Sequence, residues 1–399
     1  MAAKYDRIRK LRYEGAVDAD GHILEAADLW ERYLEAKYKP VALRIKRDDR
    51  GTQYLEIAGR PSKITRGPVF ARMCSMGTPR DQHREIDQLS YGDDPPLGAF
   101  DARDRVTRLD LEGLRAAFLY PTVSLFWETE CEDIELAQAY TRAYNRWIVD
   151  FCSDSGGRLV PIAHLSLGDP EAAANELDRA VRDGCKGAWV AQFTMTRKPH
   201  AHPDHDVVFA KAQDLGVPFG LHPTLEPVWA LPGRYDYQYV REHPMFLNVT
   251  ASDAIRHAFT SFFHFGTFDR FPHLKLVVLE VGGGWVSYWL DRLDAVFETL
   301  VGRAIPLRHK PSEYFQRQCW VSADPDEHAL PAMVELCGED KFFWASDFPH
   351  PDHTGGYIEE LEQMAAKLSE GARPKVLGDN VMRVYGCESW SADAPREQR

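Results

Sequence analysis

Eight short apolar runs, most of them followed by a stretch with helical spacing, recur along the chain. The predicted strands are Ala16–Asp20, Ala116–Tyr120, Leu159–His164, Gly187–Gln192, Val217–His222, Lys275–Glu280, Gln318–Ala323 and Phe342–Asp347. Several are continuous apolar runs, as is typical of parallel strands buried on both faces. Their alternation with helices predicts an α/β protein with a (β/α)₈ TIM barrel. The alternative is a doubly wound open sheet, but Gly21-His22-Ile23 is not the glycine-rich phosphate turn that such a fold places after its first strand.

Helical spacing is clearest in the segments after the third and later predicted strands. The predicted helices are Pro170–Arg182, Val207–Leu215, Trp285–Leu300, Ile358–Leu368 and Lys375–Tyr385. Asp169 is a suitable N-cap for the first of these, and Gly216 follows the second in a C-cap position. Together with the strands, the helices predict one barrel domain over residues 14–386, followed by a C-terminal tail over residues 387–399.

The chain between the first and second predicted strands is too long for an ordinary connection. Residues 35–110 therefore form a predicted insertion within the barrel domain. In this insertion, Val41–Lys46 and Gln53–Ala58 flank a turn that ends at Gly51, which predicts a small β-hairpin. Barrel enzymes place their chemistry at the carboxyl ends of the strands. We therefore expect the insertion to act as a lid or as a dimer contact.

Composition excludes several classes of function. The chain of 399 residues has a formal net charge of -13, whereas electrostatic binding of nucleic acid requires a basic surface. No apolar run approaches the roughly 18 residues that span a bilayer, and the polar segment Met1–Arg12 lacks the apolar core of a signal peptide. The seven cysteines form no C-x-x-C pair. We therefore expect a cytoplasmic protein with reduced thiols that binds neither nucleic acid nor membranes.

Polar residues follow three of the predicted strands at the ends where a barrel places its active site. Asp20 and His22 end the first strand, His222 ends the fifth, and Asp347 ends the eighth, with His350 three residues further on. The carboxyl ends of parallel barrel strands share one rim. Two imidazoles and two carboxylates form a mixed nitrogen and oxygen set that suits Zn²⁺, Mn²⁺ or Fe²⁺. The sequence therefore predicts a site for one divalent metal ion, with zinc as the first choice.

Each of the three motifs also has an ordinary structural explanation. Asp20 and His22 could be solvated residues at a strand end, and His222 could be a core histidine bonded to a backbone carbonyl. Asp347 could be a helix N-cap. The coincidence of all three motifs at one rim favours the metal site over three unrelated structural roles.

Two further groups of residues carry weaker signals. His200, His202 and His205 lie in a proline-containing loop, where we expect them to be exposed to solvent. Several aromatic residues lie near predicted strand ends, where they could form the walls of a pocket for a flat substrate or simply pack between the barrel and its helices. These residues are Trp127, Trp189, Phe193, Trp229 and Trp285.

Five segments, taken together, resemble amidohydrolase family 2, which includes the aminocarboxymuconate-semialdehyde decarboxylase group. The segments are Asp18–His22 (DADGH), Leu221–Pro223 (LHP), Arg270–Leu276 (RFPHLKL), Gly282–Trp285 with Trp289–Asp294 (GGGW and WLDRLD), and Ser346–His350 (SDFPH). The resemblance extends over residues 14–386, apart from the insertion. It implies a metal-dependent barrel enzyme that acts on a small molecule.

The resemblance also implies roles for the residues at matching positions. Asp20, His22, His222 and Asp347 would hold one divalent metal ion. Hydrolases of the family usually begin with a His-x-His motif, whereas this chain has Asp20 in place of the first histidine. A carboxylate at this position is similar to several nonoxidative aromatic-acid decarboxylases of the family, which favours a lyase.

A second departure from the family pattern concerns the acid/base group. Many members have a histidine before the glycine run that follows the sixth strand, and Val281 occupies that place here. The neighbouring Glu280 could replace it, although adjacent residues of a strand normally face opposite ways. Glu280 could equally be a structural carboxylate that pairs with a base such as Arg292. His350, beside Asp347, is the alternative acid/base.

The primary functional hypothesis is nonoxidative decarboxylation of a small aromatic or cyclic carboxylic acid by a homodimeric enzyme. The metal would orient the substrate carboxylate while a side chain delivers a proton to the ring carbon. The alternative is hydrolysis, in which the metal lowers the pKa of a bound water and Asp347 or Glu280 takes its proton. Hydration of a double bond is a further possibility within the family. A non-catalytic binding protein is a remote alternative, and only Val281 favours it.

Overall fold

The computed structural model describes residues 8–78, 82–227, 229–230, 244–351 and 355–388. Most of the predicted tail, from residue 389 onwards, lies outside the described residues. The strands, in chain order, are β1 (Val17–Ile23), β2 (Arg44–Arg47), β3 (Gln53–Ile57), β4 (Arg60–Arg66), β5 (Ala116–Pro121), β6 (Leu159–Pro161), β7 (Ala163–His164), β8 (Ala188–Ala191), β9 (Pro218–His222), β10 (Lys275–Val278), β11 (Cys319–Ala323) and β12 (Phe342–Trp344).

The strands outside the insertion form a closed parallel barrel. They pair in the orders β1-β5-β6 and β7-β8-β9-β10-β11-β12. Only Ile162 separates β6 from β7, so these two segments are one interrupted strand and the barrel has eight strands. The last strand meets the first through the backbone, because the N–H of Asp347 donates to the carbonyl of Asp20 (3.0 Å) and that of His22 to Phe348 (2.7 Å). The predicted TIM barrel is therefore confirmed.

Two of the predicted strands extend too far. The sixth barrel strand ends at Val278 rather than Glu280, and the eighth ends at Trp344 rather than Asp347. Glu280 and Asp347 have φ angles of 50° and 51°, in the left-handed region, which a β-strand cannot contain. The backbone thus turns sharply at both acidic residues, just past the ends of their strands.

Helices surround the barrel and alternate with its strands. The α-helices are α1 (Leu29–Tyr33), α2 (Val69–Arg72), α3 (His83–Ile86), α4 (Ala102–Glu112), α5 (Ile134–Cys152), α6 (Pro170–Asp183), α7 (Asp206–Leu215), α8 (Pro244–His264), α9 (Thr267–Arg270), α10 (Val286–Phe297), α11 (Pro311–Gln318), α12 (Leu330–Cys337), α13 (Tyr357–Lys367), α14 (Ala372–Pro374) and α15 (Asn380–Val384). A π-helical turn over Lys375–Asp379 joins the last two. The predicted N-cap is observed, since the Asp169 carboxylate accepts the N–H of Ala172 at 3.1 Å.

The insertion contains a three-stranded antiparallel sheet in the order β2-β3-β4. The predicted hairpin corresponds to β2 and β3, but β4 was missed. The turn between β3 and β4 consists of Ala58 and Gly59, which both have positive φ angles (52° and 74°). Alanine is an unusual residue in that conformation. Backbone hydrogen bonds join the insertion to the barrel mouth, from Leu24 to Ala99 (2.8 Å) and from Met76 to Pro349 (3.3 Å).

Two remaining expectations concern the histidine loop and membranes. The expectation that the histidine loop is exposed is wrong for two of its three members, because His200 and His205 are only 4% and 0% exposed. His200 Nε2 bonds the carbonyl of Ala191, and His205 Nδ1 bonds the carbonyl of His200, each at 2.7 Å. The loop thus packs against the barrel.

In the described part of the chain, no helix has the length and apolar character needed to cross a membrane.

Candidate metal centre

The carboxyl ends of four barrel strands bring six polar side chains together. One group of possible ligand atoms comes from Asp20, His22, His222 and Glu280, and a second group from His22, Asp347 and His350, so the two groups share His22. The six residues are those that the sequence selected. Three of the predicted ligands, Asp20, His22 and His222, thus share one group with the candidate acid/base Glu280. The fourth, Asp347, lies in the second group with His350, and the two groups meet at His22.

The two central histidines are oriented by backbone carbonyls. Nδ1 of His22 lies 2.6 Å from the carbonyl oxygen of Pro121, and Nδ1 of His222 lies 2.6 Å from that of Pro223. Donation from Nδ1 leaves each Nε2 with a lone pair that points into the site, as metal-ligating histidines require. Burial lowers the pKa of His22 well below its usual value, and the neighbouring His350 and His222 lower it further. His22 is therefore a neutral imidazole, the form that binds metal.

Asp20 completes the buried part of this group. Its Oδ1 atom lies 3.6 Å from Nε2 of both His22 and His222. The three side chains are at most 1% exposed. Both carboxylate oxygens of Asp20 and both Nε2 atoms lack a hydrogen bond to any residue that the structure describes. Buried polar atoms without hydrogen bonds are costly, and a divalent cation at their centre would satisfy all four.

Glu280 belongs to the same donor group. Its Oε2 atom lies 3.1 Å from Nε2 of His222 and 3.8 Å from Nε2 of His22. The left-handed backbone at Glu280 turns this side chain into the mouth, while Val281 packs against the hydrophobic core. The expected obstacle, that neighbouring strand residues face opposite ways, does not apply because β10 has already ended. Glu280 is 20% exposed, far more than the other members of its group.

Asp347 and His350 form a buried pair on the remaining side. Oδ1 of Asp347 lies 3.2 Å from Nε2 of His22 and 2.9 Å from Nδ1 of His350. Nε2 of His350 lies 3.0 Å from the hydroxyl oxygen of Thr122. Both ring nitrogens of His350 thus have neighbours, and its ring lies against that of His22 with centroids 4.0 Å apart. This arrangement fixes the direction in which Asp347 presents its carboxylate.

Asp18 has a different role from its neighbours in the DADGH segment. A bulge between Asp18 and Gly21 moves Asp18 out of the donor group. Its carboxylate accepts the backbone N–H (2.9 Å) and the hydroxyl (2.6 Å) of Ser346, and the buried Arg105 lies 3.7 Å away. Arg105 also donates to the carbonyl of His22 at 2.9 Å. This network joins the first and last barrel strands directly beneath the site.

Gly21 is required by this close packing. A Cβ atom at this position would lie 2.5 Å from both the Arg105 guanidinium and the Asp18 carboxylate. The sequence alone gave no reason to select Arg105, which lies in α4 among surface residues and yet is 1% exposed. Thr122 could have been found, because it is a polar residue directly after β5.

The composition of the site fits a divalent metal ion. The ligand atoms are imidazole nitrogens and carboxylate oxygens, with no cysteine among the residues that form the two groups. This set suits zinc, manganese or iron. The fit rests on four buried atoms that lack hydrogen bonds within the described part of the chain, rather than on the identity of the residues alone.

A parallel eight-stranded barrel with such a ligand set at its carboxyl rim defines a class, the metal-dependent barrel enzymes. Sequence comparison makes this assignment more specific. The model of the amidohydrolase family matches residues 116–387. The chain belongs to this family, as the resemblance of its motifs predicted.

Individual relatives agree with this assignment. The chain is 26% identical over 304 residues to a gamma-resorcylate decarboxylase from Polaromonas sp. (strain JS666 / ATCC BAA-500), with 71% of this chain and 87% of the relative covered. Among solved structures, it is similar to an amidohydrolase from Mycobacterium avium subsp. paratuberculosis K-10 (TM-score 0.78, 22% identity, 94% and 99% covered). It is also similar to a dihydroxybenzoic acid decarboxylase from Polaromonas sp. JS666 with bound manganese and 2-nitroresorcinol (TM-score 0.64, 19% identity, 94% and 97% covered).

Proposed function

We propose that the protein is a metal-dependent, nonoxidative decarboxylase of a small aromatic or cyclic carboxylic acid. The observation that carries this proposal is the buried group of Asp20, His22 and His222 with a more exposed Glu280 beside it. The relatives with named activities support it, because the gamma-resorcylate and dihydroxybenzoic acid enzymes act on aromatic acids. The carboxylate at position 20, in place of histidine, supports a lyase over a hydrolase.

We propose Asp20, His22, His222 and Asp347 as the ligands of one divalent ion. Zinc is the predicted ion, and manganese is the ion named for one structural relative. When bound, the ion would hold the carboxylate and an adjacent oxygen of the substrate. The backbone carbonyls behind His22 and His222 keep both Nε2 atoms aimed at it.

Glu280 is the proposed proton donor. It is the most exposed of the six acidic and histidine side chains at the site, so it can exchange its proton with solvent between turnovers. In its protonated form it would transfer that proton to the ring carbon that bears the carboxylate. The bond to the carboxylate carbon then breaks, its electron pair returns to the ring, and CO₂ leaves. Glu280 is left ionised and takes up one proton from water.

His350 is the proposed positioning residue for Asp347. Because its two nitrogens already face Asp347 and Thr122, it is poorly placed to exchange protons with a substrate. Its contact with Asp347 instead holds that carboxylate towards the ion. Of the two candidate acid/base residues, Glu280 is therefore preferred over His350.

Hydrolysis remains the alternative, and it would use the same residues. Glu280 or Asp347 would then accept a proton from an attacking water rather than donate one to carbon.

The two reactions differ in their products. The metal-loaded protein is offered a set of hydroxybenzoic acids in D₂O. Decarboxylation predicts release of CO₂ and one deuterium at the vacated ring position. A set of esters and amides of the same acids serves as the comparison, and cleavage of these without CO₂ release from the acids would overturn the proposal.

The insertion and the quaternary structure complete the proposal. The hydrogen bonds from Leu24 to Ala99 and from Met76 to Pro349 hold the insertion against the mouth, which supports a role as a lid. Tyr91 adds a third connection, because its hydroxyl donates to the carbonyl of Glu25 at 2.9 Å. We further propose a homodimer in the cytoplasm.

A further inference from the structure

The left-handed turn at Glu280 is bound on both sides by residues from the region where β11 ends. Ser322 lies in that strand, and its hydroxyl oxygen accepts the backbone N–H of Glu280 at 3.1 Å. Ser322 is completely buried. Glu327 lies four residues past the strand, and its carboxylate binds the glycine run that follows Glu280. Glu327 is not a member of either donor group, so the metal site alone does not explain its position.

Glu327 binds the glycine run through two backbone N–H groups. One carboxylate oxygen accepts the N–H of Gly283 at 2.7 Å, and the other accepts that of Gly284 at 2.5 Å. Both glycines lie just before α10, which begins at Val286, and a carboxylate at the start of a helix is favoured by the helix dipole. Burial raises the pKa of Glu327, and the two glycine N–H groups oppose this rise. Glu327 thus ties the glycine run to the loop that follows β11.

The absence of side chains on the glycines permits this contact. A Cβ atom at position 284 would lie 2.8 Å from Oε1 of Glu327, which is too close for any residue other than glycine. Gly282 has a φ of 66°, and a Cβ atom there would lie 3.3 Å from both oxygens of the same carboxylate. The carbonyl oxygen of Gly282 also accepts the indole N–H of Trp285 at 2.8 Å. The GGGW segment is therefore shaped to receive the Glu327 carboxylate.

The bound segment contains two left-handed residues within three positions. Glu280 has a φ of 50° and Gly282 a φ of 66°. A residue other than glycine persists in this conformation only where its surroundings hold it there. The bond from Glu280 to Ser322 lies at the start of the turn, and the bonds to Glu327 lie at its end. Together they fix the path that places Oε2 of Glu280 3.1 Å from Nε2 of His222.

We propose that Glu327 is a positioning residue for the proton donor Glu280. Its carboxylate acts on the reaction only through the glycine run and the turn that the run completes. The inference rests on the proposed function, because Glu280 is the proposed donor there. The alternative is a carboxylate that only caps α10, which would contribute stability without affecting the direction of the Glu280 side chain.

A double-mutant cycle on the full-length, metal-loaded protein distinguishes these roles. Glu327→Gln keeps the length of the side chain but replaces one acceptor oxygen with a donor, so only one of the two glycine bonds can form. We expect kcat to fall by about 10–100-fold, the scale of a misplaced catalytic group, with KM within about twofold and metal content unchanged. In the Glu280→Gln background, the same change should lower the residual rate by less than about twofold. A carboxylate that only caps α10 would give equal factors in both backgrounds.

Two further variants control for charge and for folding. Asp326→Asn removes a negative charge from the exposed neighbour of Glu327 and should leave the rate within about twofold of wild type. Glu327→Asp keeps the charge near the start of α10 but withdraws the carboxylate by one methylene group. It should show the same loss of kcat that depends on Glu280, and it replaces the glutamine variant in the cycle if that variant does not fold.

Matched crystal structures of the wild type and the Glu327 variant test the positioning without turnover. We expect the distance from Oε2 of Glu280 to Nε2 of His222 to be longer in the variant than in the wild type. An unchanged Glu280 side chain in the variant, or equal rate losses in both backgrounds, would overturn the proposal. A wild-type protein that releases no CO₂ would instead contradict the decarboxylase proposal, and the structural comparison would still decide the role of Glu327.

Discussion

The Oε2 atom of Glu280 lies 3.1 Å from Nε2 of His222, although His222 ends β9, Glu280 follows β10, and the two are 58 positions apart. This contact exists because the chain turns through a left-handed conformation at Glu280 (φ 50°), directly after β10. Non-glycine residues with positive φ are costly and often mark functional sites. Asp347 has the same conformation at the end of β12 (φ 51°), so two acidic residues reach the mouth in the same way.

Replacement of Glu280 distinguishes a role as proton donor from a role as structural carboxylate. Glu280→Gln keeps the size of the side chain but removes the proton that it transfers. We expect turnover to fall by about 10²–10⁴, the usual scale for loss of an acid/base group, with metal content retained. Steady-state rates and metal analysis on the same sample provide the check. Loss of metal and of folding stability together with the rate would show instead that Glu280 is a structural or ligand residue.

Replacement of His350 tests its role as a positioning residue. His350→Asn removes the ring that lies 2.9 Å from Asp347, so the carboxylate loses its orientation. We expect metal affinity to fall by about 10–100-fold, as is typical when the partner of a ligand is removed. Excess metal should restore most of the activity. If saturating metal leaves the rate at a small fraction of wild type, His350 takes part in proton transfer and the assignment to Glu280 alone is wrong.

Stability should depend on the protonation of His200, away from the metal centre. Burial lowers the pKa of His200 to about 4, whereas the unfolded chain has the ordinary value of 6.5. The unfolded state therefore binds the proton first as pH falls. His200 contributes its full stability above pH 6.5 and loses it between 6.5 and about 4. The difference between these two pKa values corresponds to about 3–4 kcal/mol.

A comparison of variants isolates this contribution from that of other groups. His200→Gln retains a side-chain N–H for the Ala191 carbonyl but does not titrate in this range. Urea unfolding at pH 7 and pH 4.5 should show a smaller loss of free energy on acidification for the variant than for the wild type. Equal losses would mean that His200 is protonated as easily in the folded protein as in the unfolded chain.

Removal of the insertion tests its proposed role as a lid or dimer contact. Deletion of about residues 41–95 removes the β2-β3-β4 sheet and its contacts with the mouth. The barrel strands lie outside this segment, so the remaining chain should still fold. We expect damaged turnover or a smaller mass in solution, measured by steady-state kinetics and light scattering. Unchanged kinetics together with an unchanged mass would show that the segment serves neither purpose.

The barrel could be predicted because its strands are apolar runs with regular spacing. The residues of the candidate metal centre could be selected because polar side chains at the ends of such runs meet at one rim. Two features could not be predicted from local patterns. The turn at Ala58 has a backbone conformation that alanine rarely adopts, which hid β4. The buried Arg105 resembles any other arginine of a surface helix, and only the packing around Gly21 reveals its position.

The placement of Glu280 illustrates a further limit of the sequence. Strand alternation assigns opposite directions to Glu280 and its neighbours, and the sequence does not show where the strand stops. The choice between a structural and a functional carboxylate therefore stayed open until the backbone was known. The sequence also gives a wrong prediction for His200. A loop with proline and histidine residues is expected to be exposed to solvent, whereas His200 is buried and bonds the backbone carbonyl of Ala191.

Metal content is the most direct test of the central claim. Purified protein should contain about one equivalent of divalent metal, identified and counted by plasma mass spectrometry. His222→Ala should lose most of it and nearly all activity, because Nε2 of His222 is buried at the centre of the donor group. His202→Ala, a more exposed histidine outside that group, should retain wild-type metal and rate. Full activity in metal-free protein, or full metal occupancy in His222→Ala, would contradict the account.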